Sequence, residues 1–176
     1  EMCIRDSMPD AGLNIPLVQL IGNNEAGINT ESTNFYQPYD WVYNQQQDHD
    51  LNTIYPQLSS ALQLSPESNY QALTQERVLP WVKQYASSIG PWKNNLYGFE
   101  QQKPIAKNWF QSALALGLGV HPYTFRAEDV FTKSNGNGPT LSYDEELGFL
   151  LAQGITGFFT DHTDLGFAVR EKYGAT

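Results

Sequence analysis

Between Gly12 and Gly22 the chain reads LNIPLVQLIG, an almost continuous apolar run over Leu13 to Gly22, short enough for a strand buried on both faces. From Asn23 to about Ser68 the composition turns to Asn, Gln, Ser, Tyr and Pro, and Pro38, Pro56 and Pro66 interrupt any long period. This stretch, taken as residues 23–77, predicts a long insertion with one short helix near Leu58 to Leu64. Helical spacing returns at Tyr70 to Ala86, where Leu73, Val78, Val82 and Tyr85 recur at threes and fours, and Ser87-Ser88-Ile89-Gly90-Pro91 closes it with a short strand at Ile89 to Pro91. A second helix is expected over Lys107 to Leu116, with Trp109, Phe110, Ala113 and Leu114 on one side and glycines at 117 and 119 to stop it.

The best-defined strand is Gly119 to Phe125, GVHPYTF. After a turn at Lys133 to Pro139, Ser142 and Glu145 have the spacing of a capping box for a helix through Leu151. Gly154 to Asp161 reads as the last strand, and Leu165 to Tyr173 as a closing helix with Arg170 and Lys172 near its C-terminal end, the sign that the helix dipole favours. Strands alternating with helices imply a parallel sheet. Four such units fit either a small open α/β sheet or half of an eight-unit barrel, which needs about 250 residues, and periodicity does not separate the two.

Composition narrows the function classes. Ten Lys and Arg against nineteen Asp and Glu leave a net charge of -9, so no basic surface exists to neutralise a nucleic-acid backbone or an anionic lipid face. No apolar run approaches the roughly 18 residues of a membrane span. With 40% hydrophobic and 13% aromatic residues the chain has ample material for a core. The opening Glu1 to Ser7 bears no relation to the rest of the chain and reads as a foreign leader; it contains the one cysteine, Cys3. Residues 8–176 are then the domain.

Three segments, in order, carry a resemblance. LVQLI at 17–21, HPYTFRAED at 121–129 and GITGFFTDHTD at 154–164 look like strands five, seven and eight of the glycerophosphodiester phosphodiesterase family, above all its long-insert periplasmic bacterial branch. Tyr85 to Pro91, YASSIGP, resembles that branch's passage into strand six. The resemblance implies the C-terminal half of a (β/α)8 TIM barrel, a phosphoric diester hydrolase that converts glycerophosphodiesters to glycerol 3-phosphate and an alcohol, and a periplasmic or secreted location. It also implies a divalent metal, calcium or magnesium. The family's catalytic set is a His-Arg-Gly on strand one, a Glu-x-Asp on strand two, a His on strand three and a Glu-x-Lys on strand four. None of these motifs occurs in the chain, so no catalytic residue and no metal ligand is assigned in it, and the fragment alone is expected to be inactive.

The candidate residues are therefore substrate contacts. Gln19 is the one polar side chain between Ile15 and Ile21 on the first strand and is either a substrate-side group or a buried amide bonded to neighbouring strands. The resemblance places Tyr123 and Phe159 as aromatic walls for the glycerol, with Phe158 turned outward to the helices. His121 shares a side with Tyr123 by the two-residue period; with Pro122 next to it and no carboxylate nearby, a structural or peripheral contact outweighs a general base. Arg126 either reaches a phosphate with its planar fork or pairs with Glu128 or Asp129. Asp161 is expected to cap the helix that begins near Thr163. Asp48-His49-Asp50 and Asp161-His162-Thr163-Asp164 lack calcium-loop spacing and read as solvated turns. Two other readings remain: a non-catalytic binding protein derived from the barrel, and a small open α/β domain of unrelated function.

Overall fold

The computed structural model describes residues 15–23, 36–128, 131–132 and 141–174. Its strands are β1 Val18–Ile21, β2 Ser88–Pro91, β3 Tyr97–Glu100, β4 Lys103–Ala106 and β5 Gly119–Val120. Its helices are α1 Tyr39–Gln46, α2 Leu51–Ile54, α3 Pro56–Ala61, α4 Leu79–Lys83, α5 Asn108–Ala115, α6 Tyr143–Ala152 and α7 Thr163–Tyr173. β1, β2 and β5 form one parallel sheet, with Leu20 opposite Gly90 and Ile89 opposite Val120.

A fourth segment extends this sheet. The Thr156 N–H donates to Val120 O at 3.0 Å, the Phe159 N–H to Pro122 O at 3.0 Å, and the Phe125 N–H to Phe159 O at 2.9 Å. Residues 155–160 thus run parallel to 120–125. The strands expected over Gly119–Phe125 and Gly154–Asp161 pair as irregular extended segments, bridged at Phe125 and Thr160, rather than as continuous strands. The four segments lie side by side in chain order, as consecutive βα units place them.

The two faces of the sheet differ. Ile21, Ile89, Val120 and Phe125 are wholly buried in the core shared with the helices. On the opposite face Val18 and Leu20 are exposed, so the expectation that the first strand is covered on both sides fails for this chain. That face is lined with small residues. A Cβ on Gly90 would stand 2.9 Å from Leu20 Cδ2, and one on Gly157 would stand 2.9 Å from His121 Cδ2, so each glycine gives room to a neighbouring side chain.

The insertion holds more helix than expected, because its prolines start helices instead of interrupting them. Pro38 occupies the N-cap of α1 and Pro56 the first turn of α3, where a missing N–H costs nothing. Asp50 caps α2 by accepting the Asn52 N–H at 3.1 Å. Trp41, Leu51, Tyr55 and Leu58 join the core from this segment. Conversely, the long helix expected over Tyr70–Ala86 is broken into a 3-10 turn at Tyr70–Thr74 and the five-residue α4. Pro80 is tolerated only in a first turn, so a helix containing it must start beside it.

The capping box at Ser142 and Glu145 forms in full at the head of α6, and α5 and α7 lie within two residues of their expected limits. The turn expected at Lys133–Pro139 lies outside the described residues. Sequence patterning did not announce the hairpin of β3 and β4. It turns on Gln101 and Gln102, with φ of 48° and 66°, a two-residue turn with both central φ positive that usually takes Asn-Gly.

Candidate functional site

The C-terminal ends of the four parallel segments converge, and they carry most of the candidate residues. Tyr123 and Thr124 leave the third segment, joined by a cis peptide bond, and form a wall between two hollows. The first hollow, about 440 Å³, is lined by Leu20, Tyr123, Thr124, Phe159, Thr160 and Asp161. The second, about 450 Å³, lies on the other side of that wall, over Trp92, Lys93, Arg126 and Phe131.

Phe159 presents half of its surface, 52%, to the first hollow and solvent, while Phe158 turns back into the core and meets Phe125 edge-on at 5.9 Å. This is the inward and outward pair expected from the two-residue period. Tyr123 is half-buried; its hydroxyl donates to Ile21 O at 3.2 Å, tying the third segment to the end of β1 across β2. His121 stands on the same face lower down, its ring laid against Gly157. No catalytic carboxylate orients it in the hydrogen bonds described.

Gln19 is not at this site. Its Oε1 accepts the Tyr85 hydroxyl at 2.7 Å, and its Nε2 donates to Leu20 O at 2.8 Å. Tyr85 follows α4, so Gln19 faces the helix layer, on the side opposite Leu20 and the hollow. The alternation of the strand explains this: Leu20 takes the open face, and its neighbour cannot share it.

Arg126 and Asp161 change the expected assignments. Arg126 Nε donates to Asp161 Oδ2 at 2.6 Å, and its guanidinium lies 4.5 Å from the centre of the Phe131 ring. Both members of the pair are about half exposed, so its contribution to stability is small. The expected partners are otherwise placed: Glu128 faces His162 Nε2 at 3.3 Å, and Asp129 lies outside the described residues. Asp161 does not cap α7; His162 takes that position without a side-chain cap bond. Glu128 is held below the usual carboxylate range, first by its own backbone N–H and then by His162.

Sequence reading missed the polar floor of the second hollow. Lys93, two residues past β2 at the start of a 3-10 turn, is buried, and its Nζ donates to both oxygens of Glu146 at 2.7 Å and to Phe131 O at 2.7 Å. The Tyr97 hydroxyl also donates to Glu146, which lies on the buried face of α6. The Lys93 N–H donates to Tyr123 O at 2.8 Å, so this ion pair holds the backbone of the wall between the hollows. The signal was present: Tyr143, Glu146, Leu147 and Leu150 fall at helical spacing, and the one carboxylate in that stripe needs a buried cation. Nearby, the Tyr143 hydroxyl meets Thr160 Oγ1 at 2.7 Å; burial raises its pKa, partly offset by that bond.

Among the described residues no group of three or more His, Cys, Asp or Glu comes together to hold a metal ion. Asp50 and His49 serve local bonds, to Asn52 and Asn44. Among the same residues no helix is long and apolar enough to cross a membrane.

No protein-family model matches the chain. Over 96 residues, 53% of its length, the chain is 33% identical to the glycerophosphodiester phosphodiesterase GDPD6 of Arabidopsis thaliana. The matched stretch spans about a quarter, 25%, of that curated relative. Together with the α/β architecture, this similarity supports a relation to the glycerophosphodiester phosphodiesterases.

Proposed function

We propose that the chain is strands five to eight of a (β/α)8 barrel that hydrolyses glycerophosphodiesters to glycerol 3-phosphate and an alcohol, and that it supplies the wall of the glycerol pocket. The observation that carries this reading is the open sheet face: four parallel segments in chain order cover one side with helices and leave Leu20, Tyr123 and Phe159 on the other, around one hollow. A doubly wound sheet reverses its strand order and covers both faces. A barrel keeps its order and needs further strands to enclose the bare face, and its active site lies at the C-terminal strand ends, where these residues stand.

In this reading Tyr123 and Phe159 present aromatic surface to the carbon backbone of the glycerol, and Thr124 lines the hollow beside them, while the Thr160 hydroxyl is held by Tyr143 and the Phe125 carbonyl. His121, below them, packs against Gly157 and shapes the floor. Arg126 stands at the rim, where exchanging Asp161 for a phosphate oxygen requires only a small rotation of an exposed side chain. The acid and base groups, and the ligands of a divalent calcium or magnesium ion, belong to residues outside those described; no step is derived through the ion. Residues 1–7 are taken as a foreign leader, 23–77 as an insertion, and the location as periplasmic or secreted.

Two proteins test this reading: the 176-residue chain, and residues 8–176 preceded by the upstream four βα units that the barrel reading requires. Each is assayed for release of glycerol 3-phosphate from glycerophosphocholine and glycerophosphoinositol with calcium or magnesium. Turnover by the longer protein and none by the shorter is the expected outcome. Failure of the longer protein would leave a non-catalytic binding role, and turnover by the shorter would place the catalytic residues within this chain.

A further inference from the structure

We infer that Lys93 is a positioning residue that holds Arg126 ready for the phosphate, by fixing both the strand end from which Arg126 departs and the ring on which its guanidinium rests. This rests on the reading of Arg126 as the phosphate contact at the rim. Lys93 reaches both supports. Its backbone N–H donates to Tyr123 O at 2.8 Å, just upstream of Arg126, and its Nζ donates to Phe131 O at 2.7 Å, just downstream. The Phe131 ring in turn lies 4.5 Å from the Arg126 guanidinium. One residue thus anchors, by its amide and its side chain, the chain on either side of the arginine.

The anchor is itself fixed from below. An ammonium group has three protons, and here it meets three acceptors, the two Glu146 oxygens and Phe131 O, each at 2.7 Å. The side chains of Lys93 and Glu146 are 2% and 0% exposed, so little water competes for these bonds. The Tyr97 hydroxyl donates to the same carboxylate. A buried ion pair is a weak source of stability, because the cost of taking two charges out of water offsets most of their attraction, but its directional, charge-assisted bonds favour one arrangement. Arg126 contrasts with it: its side chain is 40% exposed and that of its partner Asp161 48%. An exposed arginine loses rotamer freedom when it grips a phosphate, and one already laid against a held ring loses less. Phe131 is 41% exposed, so packing alone does not hold its ring; the bond from Lys93 Nζ ties its backbone to the buried layer. A phosphate that displaces Asp161 from Arg126 leaves this ring contact in place.

The test compares the full chain with two variants by stability in denaturant, by the NMR signal of the Arg126 Nε–H, assigned through its loss in Arg126→Lys, and by titration of that signal with glycerol 3-phosphate. The double variant Lys93→Met with Glu146→Leu strands no charge, so a purely structural pair predicts that the refolded protein keeps the wild-type signal and affinity. Positioning predicts otherwise. With most of the stability regained, the Arg126 signal should lose its ring-current shift and its cross-relaxation with the Phe131 ring, and glycerol 3-phosphate should move it only at about ten-fold higher concentration. Phe131→Ala removes the half-exposed ring and leaves the ion pair; it should weaken glycerol 3-phosphate to a similar extent, and it decides the question if the double variant does not fold. A folded double variant that keeps either the wild-type Arg126 signal or the wild-type affinity overturns the inference and leaves the phosphate reading standing. So does a Phe131→Ala protein of unchanged affinity. A wild-type Arg126 signal that ignores glycerol 3-phosphate altogether overturns the phosphate reading, and this inference with it.

Discussion

On the helix-covered side of the sheet Ile21, Ile89, Val120 and Phe125 are wholly buried, whereas on the other side Val18, Leu20 and Phe159 leave 38%, 40% and 52% of their surface exposed. The same strands supply both faces, and both are apolar. One face is therefore finished by this chain's own helices, while the other is apolar without being covered. The covered face accounts for folding, and the open face, which ends in the first hollow at the C-terminal strand ends, accounts for the proposed function.

The largest effect should come from the buried ion pair on the covered side. Lys93→Met leaves Glu146 charged and buried with only the Tyr97 hydroxyl as a described side-chain partner, and should lower unfolding free energy by about 3–5 kcal/mol in denaturant titration. The double variant Lys93→Met with Glu146→Leu should regain most of that loss, because no charge is then stranded. A loss that persists in the double variant would mean that the hydrogen bonds to Phe131 O and Tyr97, not the charge balance, hold this region.

Next comes a direct contrast of the faces. Ile89→Ala, on the covered side, should cost about 2–5 kcal/mol, as large-to-small changes in packed cores do. Leu20→Ser, on the open side, should cost well under that, about 1 kcal/mol or less, since the side chain already meets water. Equal costs in thermal melts would show that the open face is covered in solution, by a second copy or by another segment.

The smallest effect concerns the head of α6, which seats Glu146. Glu145 is held below the ordinary carboxyl value of 4.5 by the Ser142 backbone N–H and then by its hydroxyl. With the folded value below the unfolded one, the unfolded chain binds the extra proton. The stabilisation is thus complete above the unfolded value and is lost as pH falls through the folded one. Glu145→Gln keeps a capping geometry but cannot titrate, so its stability should decline less steeply than the wild type's below pH about 4.5. Parallel acid limbs would assign the wild-type decline to Asp50, Glu67, Glu128 and Asp144, whose carboxyls are held low in the same way.

Legibility in the sequence divides along a similar line. Features set by local chemistry were readable: the Ser142–Glu145 box, the Phe158 and Phe159 alternation, and the helix at 108–115. Features set by which face a residue takes, or by distant partners, were not. Gln19 stood out as polar, but its direction depended on whether it or Leu20 took the open face, and the run contained nothing to decide that. Asp161 looked like a cap because a helix begins two residues later, yet Arg126, 35 positions earlier, is its partner. The Gln101–Gln102 turn lacked the residues that mark such turns, and the 23–77 segment looked irregular because prolines at helix starts and prolines in loops read alike. Glu146 was the one buried partner that the pattern could have disclosed.

The central claim is that the open face ends in a pocket for the glycerol end of a phosphodiester. Saturation-transfer NMR between glycerol 3-phosphate and the full chain tests it most directly, comparing the wild type with Phe159→Ala and with Ile54→Ala, an exposed residue that does not line the first hollow. The account predicts transfer to the glycerol protons in the wild type and in Ile54→Ala, and loss of most of it in Phe159→Ala. Transfer that survives Phe159→Ala unchanged, or is absent from the wild type, would contradict it.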